Sequence, residues 1–285
     1  MIVFEYIKLF YYLLRPKVIF VRRFSKAMGD NLLLTGILKK LRNDNPNFKI
    51  VVETENWKDF FINNPYIDFV TSLHFKTTKR HIRPKYRIFP ETNKSLYTMI
   101  GNYVGSDYAY PELFLSSEEI TSFAYLNNKK TIAICPEGKQ KFSANRKEWG
   151  LKNFQDVVNL LKNEFDFVQI GTKGDQLLDG VLDLRGLKIR QSAAVIKNCE
   201  IFFGLEGGLM HLAKSVGKSS VIVYGGFIKP EVSGYPGNEN LYFETDCSPC
   251  FNSEKKLEIC SHMSCMKGIT VDYVVEKIKN KLRVT

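Results

Sequence analysis

Residues 201–226, IFFGLEGGLMHLAKSVGKSSVIVYGG, constrain this chain more than any other stretch. The pattern is strand, glycine turn, short helix, strand, the repeating unit of a parallel sheet. Glu206, Gly207, Gly208 and His211 gather at the first turn. A glycine pair that opens a helix leaves backbone N–H groups unpaired at the positive end of the helix dipole, which is how α/β proteins hold phosphate.

The same alternation runs along the whole chain. Strands are expected at 18–21, 50–52 and 69–73, with helical spacing over 32–41 and 57–62 and a further helix from Ser116 or Ser117 to Asn127. The polar break Asn127-Asn128-Lys129-Lys130 marks the best domain boundary, giving domains 1–128 and 129–285. Beyond it, strands at 131–135, 167–170, 201–203 and 219–224 alternate with helices at 154–164, 190–197 and 209–215, and residues 271–282 form a last amphipathic helix. This is a doubly wound α/β order. At 285 residues and 44% hydrophobic composition the chain has material for two cores.

The formal charge of +11 suits an anionic partner such as a nucleotide, a phosphorylated glycan or a membrane surface. The basic stretch 75–94, which carries Lys76, Lys79, Arg80, Arg83, Lys85 and Arg87, reads as a solvated basic loop or as a surface that meets an anionic acceptor or lipid headgroups, and its aromatic interleaving is too irregular for a nucleic-acid site. No segment reaches the roughly 20 apolar residues that span a bilayer. Residues 2–14 are apolar and aromatic but carry Glu5 and Lys8 and end at Arg15-Pro16-Lys17 without a small-residue cleavage site. They read as a helix packed on the domain surface, with an interfacial amphipathic helix as the alternative. A cytoplasmic protein is expected, with a peripheral position on the inner face of the membrane left open.

Loops at the carboxyl edges of the strands carry the candidate chemistry, and a ligand cleft is expected between two such edges. In residues 24–34, FSKAMGDNLLL, Asp30 is either a helix cap or a general base for an attacking sugar hydroxyl. In residues 141–149, KFSANRKEW, Lys141, Arg146 and Lys147 follow a strand, as a basic surface loop or as cations that neutralise a diphosphate leaving group. Trp149 is expected to pack on the next helix. Glu206 either accepts hydrogen bonds from a ribose or base or caps the helix, and His211 is a packing histidine or a ligand contact. Gly171, Gly174 and Asp175 read as an ordinary turn.

Cys135 and Cys199 sit at the edges of apolar runs and are expected to be inert core residues. Cys247-x2-Cys250-x9-Cys260-x4-Cys265 has the paired spacing of a tetrahedral thiolate site for zinc or iron, with disulfides or free thiols as alternatives. Four thiolates would leave no open coordination position, so such a metal would pin the loop 247–265, and His262 is a further possible ligand.

Four segments, GDNLLLTGILKKLR at 29–42, KEW at 147–149, DLRG at 183–186 and GLEGGLMHLAKSVG at 204–217, together resemble glycosyltransferase family 9, the ADP-heptose heptosyltransferases. The resemblance implies a GT-B fold, two Rossmann-like domains facing across a cleft, and an inverting transfer of heptose from ADP-heptose to a lipopolysaccharide core or other surface glycan without a metal at the reacting centre. It implies Asp30 as catalytic base, Lys147 near the donor phosphates, and Gly207, Gly208, Leu209 and His211 around the nucleotide diphosphate. Glu206 and Gly207 depart from the family's usual aspartate followed by serine or threonine. The four cysteines are similar to the iron site of the family's autotransporter heptosyltransferases. Alternatives are another nucleotide sugar, a protein acceptor, or a non-catalytic nucleotide- or glycan-binding scaffold.

Overall fold

The computed structural model describes residues 2–22, 25–86, 94–127, 130–138, 140, 143–252 and 257–283. Arg87, the Asn128-Lys129 part of the expected boundary, and Lys141 lie outside the described residues. The chain forms two compact units, one of Met1–Arg87 with Leu96–Ser116 and the other of Ile88–Ser95 with Ser117–Thr285.

The first unit begins with α1 (Ile2–Leu14) and β1 (Val18–Arg22), then α2 (Met28–Thr35), α3 (Leu38–Asp44), β2 (Lys49–Glu53), β3 (Phe69–Thr71), β4 (His81–Ile82) and α4 (Leu96–Gly101). All strands run parallel in the order β3-β2-β1-β4. Val18 to Val21 are fully buried, as a strand covered on both faces requires. α1 packs through Leu9 and Tyr12 onto Val18, Phe20, Val51 and Phe75.

Three expectations change here. The helix expected over 32–41 is broken into α2 and α3 at Gly36. A Cβ at Gly36 would lie 2.5 Å from the carbonyl oxygens of Ala109 and Tyr110, so that chain segment passes where a side chain would be. The Thr35 hydroxyl turns back onto Leu32 O (2.6 Å) and receives Glu112 N–H (2.9 Å) at the same break. The helix expected at 57–62 is one 3-10 turn, Lys58–Phe61. β4, lying within the stretch read as a basic loop, is a two-residue strand paired with β1.

The second unit runs α5 (Ser117–Thr121), β5 (Thr131–Cys135), α6 (Leu151–Leu161), β6 (Asp166–Gln169), β7 (Leu182–Asp183), α7 (Ile189–Asn198), β8 (Ile201–Leu205), α8 (Gly208–Ser215), β9 (Ser220–Val223), α9 (Pro230–Ser233), β10 (Glu239–Leu241), α10 (Ser264–Lys267) and α11 (Val271–Arg283). Its six parallel strands are ordered β10-β9-β8-β5-β6-β7. The chain therefore winds outward from β5 through β7, crosses back, and winds the other way from β8, the Rossmann order. Phe154, Val157, Val158 and Leu161 of α6 and Val274 and Ile278 of α11 share one core with Ile132, Phe203 and Val221 of the sheet.

α5 stops at Thr121 rather than running to Asn127: Ser122 N–H still reaches Glu118 O (3.0 Å), but from Phe123 N–H on Ile120 O (3.2 Å) the chain tightens into a 3-10 turn, Ala124–Leu126. It is tied to α7 by a two-pronged Arg190–Glu119 ion pair, both contacts 2.6 Å, and by Asn198 Nδ2 on Ile120 O (3.0 Å).

Candidate functional site

Open α/β sheets bind ligands outside the carboxyl ends of the strands where the winding reverses. In the first unit the reversal lies between β1 and β4, the two neighbours from which the chain runs in opposite directions. Asp30, in the loop-and-helix that follows β1, and Tyr86, just after β4, meet there: the Tyr86 hydroxyl donates to Asp30 Oδ1 at 2.6 Å. Asp30 stands in the first turn of α2, whose cap residue is Ala27 and makes no side-chain cap bond. The capping alternative for Asp30 is thus replaced by a carboxylate, half-buried, that faces a phenol. Asn31, buried beside it, shapes the turn: its Nδ2 bonds the carbonyls of Ser25 (3.2 Å) and Ala27 (2.8 Å), and its Oδ1 accepts from Thr54 Oγ1 (3.1 Å).

In the second unit the reversal lies between β5 and β8. Lys147 comes from the loop after β5 and Glu206 from the turn after β8, and the two form an ion pair. The Glu206 side chain is 6% exposed and that of Lys147 23%. Burial pushes the Glu206 carboxyl up, but the attraction and hydrogen bond of Lys147, with His211 and Ser233 adding to them, hold it below the usual carboxylate range. The ammonium also lies 4.7 Å from the centre of the Phe227 ring. Glu206 does not cap α8, whose N-cap is Gly207 with no side-chain cap bond.

Gly207 has φ 156° and ψ −160°, a region that residues with a Cβ rarely enter, and a Cβ built there would meet nothing within 4 Å. Gly208 and Leu209 open α8 and are partly exposed, whereas His211 is buried. His211 Nδ1 lies 2.5 Å from the Tyr235 hydroxyl, with the two rings edge to face. Its role in the fold is therefore that of a partnered packing histidine. Tyr86 and Ser233 are the site neighbours that sequence spacing did not single out, since nothing local marks a partner 56 positions away.

Arg146, the other basic residue of this loop among the described residues, bonds elements other than Glu206. Its Nε donates to Glu258 O (3.1 Å) and its Nη1 approaches Cys250 Sγ (3.6 Å), while Asn145 exchanges two hydrogen bonds with the backbone of Cys260 (3.0 and 2.8 Å). Cys250, Cys260 and Cys265 are buried, Cys247 is exposed, and all four are free thiols. His262 Nε2 stands 3.6 Å from both Cys247 Sγ and Cys260 Sγ. Cys265 and Ser248 crowd Gly226, and Met266 crowds Gly225, so the cysteine segment backs the turn after β9. Among the described residues no group of three or more His, Cys, Asp or Glu side chains is arranged to hold a metal ion, so the four-thiolate ligand set expected from the spacing is not assembled here.

The remaining expectations concern support. Trp149 is buried edge to face against Phe154, its Nε1 donating to Ile269 O at 2.7 Å. Asp175 closes the Gly171 turn by accepting Thr172 N–H (2.8 Å), and Arg185 of the DLRG segment binds Asp183 (2.8 Å) and the Asp175 carbonyl. Cys135 and Cys199 are buried core thiols, each pushed up to about 12 by burial.

Residues 178–260 match the sequence model of glycosyltransferase family 9 (heptosyltransferase). No curated protein matches the chain in sequence. In fold it is similar to a family 9 glycosyl transferase from Veillonella parvula DSM 2008, with 17% identity over 94% of this chain and 98% of that one and a TM-score of 0.76. It is also similar to the iron-containing dodecameric heptosyltransferase TibC from enterotoxigenic E. coli H10407, solved with ADP-D-beta-D-heptose, with 15% identity over 95% of this chain and 77% of that one and a TM-score of 0.73. ADP-heptose lps heptosyltransferase II of E. coli gives 15% identity over 94% and 98% and a TM-score of 0.65. The matched segment contains the β8–α8 turn, and the two Rossmann-like units have the GT-B fold of the solved family 9 glycosyltransferases to which the chain is similar.

Proposed function

We propose that the protein transfers heptose from ADP-heptose, with inversion, to a hydroxyl of a lipopolysaccharide core or other surface glycan in the cytoplasm. The observation that carries this reading is the Lys147–Glu206 pair at the reversal of the second sheet, beside the glycine-led start of α8. The Gly207–Leu209 N–H groups receive the diphosphate and Lys147 offsets the charge that develops on it as the glycosidic bond breaks. Glu206 keeps the ammonium in place, and His211 fixes the first turns of α8 through Tyr235. Asp30 takes the proton of the attacking hydroxyl while the Tyr86 hydroxyl orients the carboxylate. The bond from the acceptor oxygen to the anomeric carbon forms as the bond to the diphosphate breaks, and ADP leaves with the electron pair. Support for the donor comes from the relatives solved with ADP-heptose or ADP.

The cysteine loop enters as a brace for the Lys147 loop through Asn145 and Arg146. A structural zinc or iron on Cys247, Cys250, Cys260 and Cys265 is supported by their spacing and by the iron of TibC, and no step of the transfer passes through it.

Nucleotide release from ADP-, UDP-, GDP- and CMP-sugars in the presence of a heptose-accepting core glycan tests the reading. Release from ADP-heptose alone is expected, and Asp30→Ala should lower it by about 10²–10⁴-fold while ADP still binds. Unchanged turnover in Asp30→Ala removes Asp30 from the mechanism. Preference for another nucleotide sugar rejects the donor, and ADP binding without turnover on any donor makes the chain a binding scaffold.

A further inference from the structure

Only one side of α1 is used by the fold. Leu9 and Tyr12 face the core, whereas Val3, Phe4, Ile7, Phe10 and Leu14 are 61–71% exposed. Positions 3, 7, 10 and 14 form one continuous stripe along a helix, and Phe4 widens it. Single exposed apolar residues are ordinary, but a contiguous stripe of this kind marks an interaction surface.

The charges around the stripe are sorted by sign. The sole acid of α1, Glu5, is turned into the protein, where it accepts from Lys58 Nζ (2.7 Å), Thr71 Oγ1 (2.8 Å) and Ser72 N (2.6 Å). The cations stay outside: Lys8, Arg15 and Lys17 are exposed, Lys8 Nζ lies 4.9 Å from the Phe4 ring centre, and the Arg15 guanidinium lies 4.2 Å from that of Tyr11. An apolar stripe edged by cations and free of carboxylate complements acyl chains beneath anionic headgroups. A second copy of α1 would instead bring like charges together. Thirteen residues of helix extend about 20 Å, too short for a hydrocarbon core of about 30 Å, so the helix would lie in the interface plane.

We propose that α1 is a membrane-docking face, its stripe of Val3, Phe4, Ile7, Phe10 and Leu14 seated among the acyl chains of an anionic bilayer and Lys8, Arg15 and Lys17 on the lipid phosphates. The proposal does not depend on the transfer reaction, and its readout is binding alone.

The test is co-sedimentation of the full chain with vesicles of phosphatidylcholine, with and without phosphatidylglycerol, at low and high salt, alongside the solution mass. Partitioning about tenfold stronger onto the anionic vesicles, weakened by salt, is expected. The variant Phe4→Ser/Ile7→Ser/Phe10→Ser should lose it by about tenfold or more, since each side chain forfeits most of its burial. These side chains are outside the core, so circular dichroism should be unchanged. Lys8→Gln/Arg15→Gln/Lys17→Gln should abolish the preference for the anionic lipid. Absence of partitioning, equal binding of wild type and the Ser variant, or equal binding to neutral vesicles overturns the proposal. So does a wild-type dimer that the Ser variant turns into a monomer, because the occupant is then a second copy.

Discussion

Lys147 and Glu206 illustrate what a single pair contributes when one partner is buried. Removing the ammonium leaves the Glu206 carboxylate desolvated and without its counter-charge, a change of about 3–5 kcal/mol for fully buried pairs. Lys147 keeps 23% of its side chain exposed, so Lys147→Ala should fall nearer about 2–3 kcal/mol in urea unfolding. The double variant Lys147→Met/Glu206→Leu should regain much of that stability without regaining transfer, which separates the pair's structural role from its chemistry. A pH series tests the same pair. The Glu206 carboxyl is held below its ordinary value, so the unfolded chain takes up the proton first as pH falls. Its stabilisation is complete above the ordinary carboxylate range and is lost as pH drops through the lower folded value, and Glu206→Gln should flatten that acid limb of the urea midpoints. Asp30, Lys147 and Glu206 were legible in the sequence because each follows an apolar run at a loop. Tyr86 and Ser233 were not, because their meaning comes from partners distant along the chain.

Elements were legible where they are long and periodic. α6, α7, α8 and α11 lie within a few residues of their expected ranges, while β4, β7 and β10, each of two or three residues, are too short to leave a pattern. The α2–α3 break was hidden because leucine spacing runs unbroken across Gly36, and the close approach of the backbone at Ala109 and Tyr110 to that glycine is a tertiary contact that no local pattern records. Gly36→Ala should therefore destabilise the protein by about 1–3 kcal/mol or more in thermal or urea unfolding, although alanine is the better helix former. An unchanged midpoint would mean that the 109–110 segment gives way. The cysteine loop was legible as a cluster but not as an arrangement. Its thiols surround His262, Gly226 and Arg146, and a metal at the four thiolates would have to draw them together. Elemental analysis of freshly purified, reduced protein should find zinc or iron near one per chain, with its removal lowering the melting temperature. Metal-free protein of the same melting temperature would leave the loop held by Asn145 and Arg146 alone.

Across the molecule, two parallel sheets wound by the same rule each bring their candidate groups to the place where the winding reverses: Asp30 with Tyr86 in one unit, Lys147 with Glu206 in the other. The amino-acid sequence by itself determined that the chain is α/β, which loops carry ionisable groups, and which family it resembles, because periodicity, glycine placement and short motifs are local properties. The tertiary structure alone decided which of those groups meet. It decided against the capping alternative for Asp30 and Glu206 and gave each carboxylate a partner, sent Arg146 to the cysteine loop and Lys147 to the carboxylate, and left one face of α1 uncovered. Those outcomes depend on strand order and on distances between residues far apart in sequence, and a linear pattern records neither.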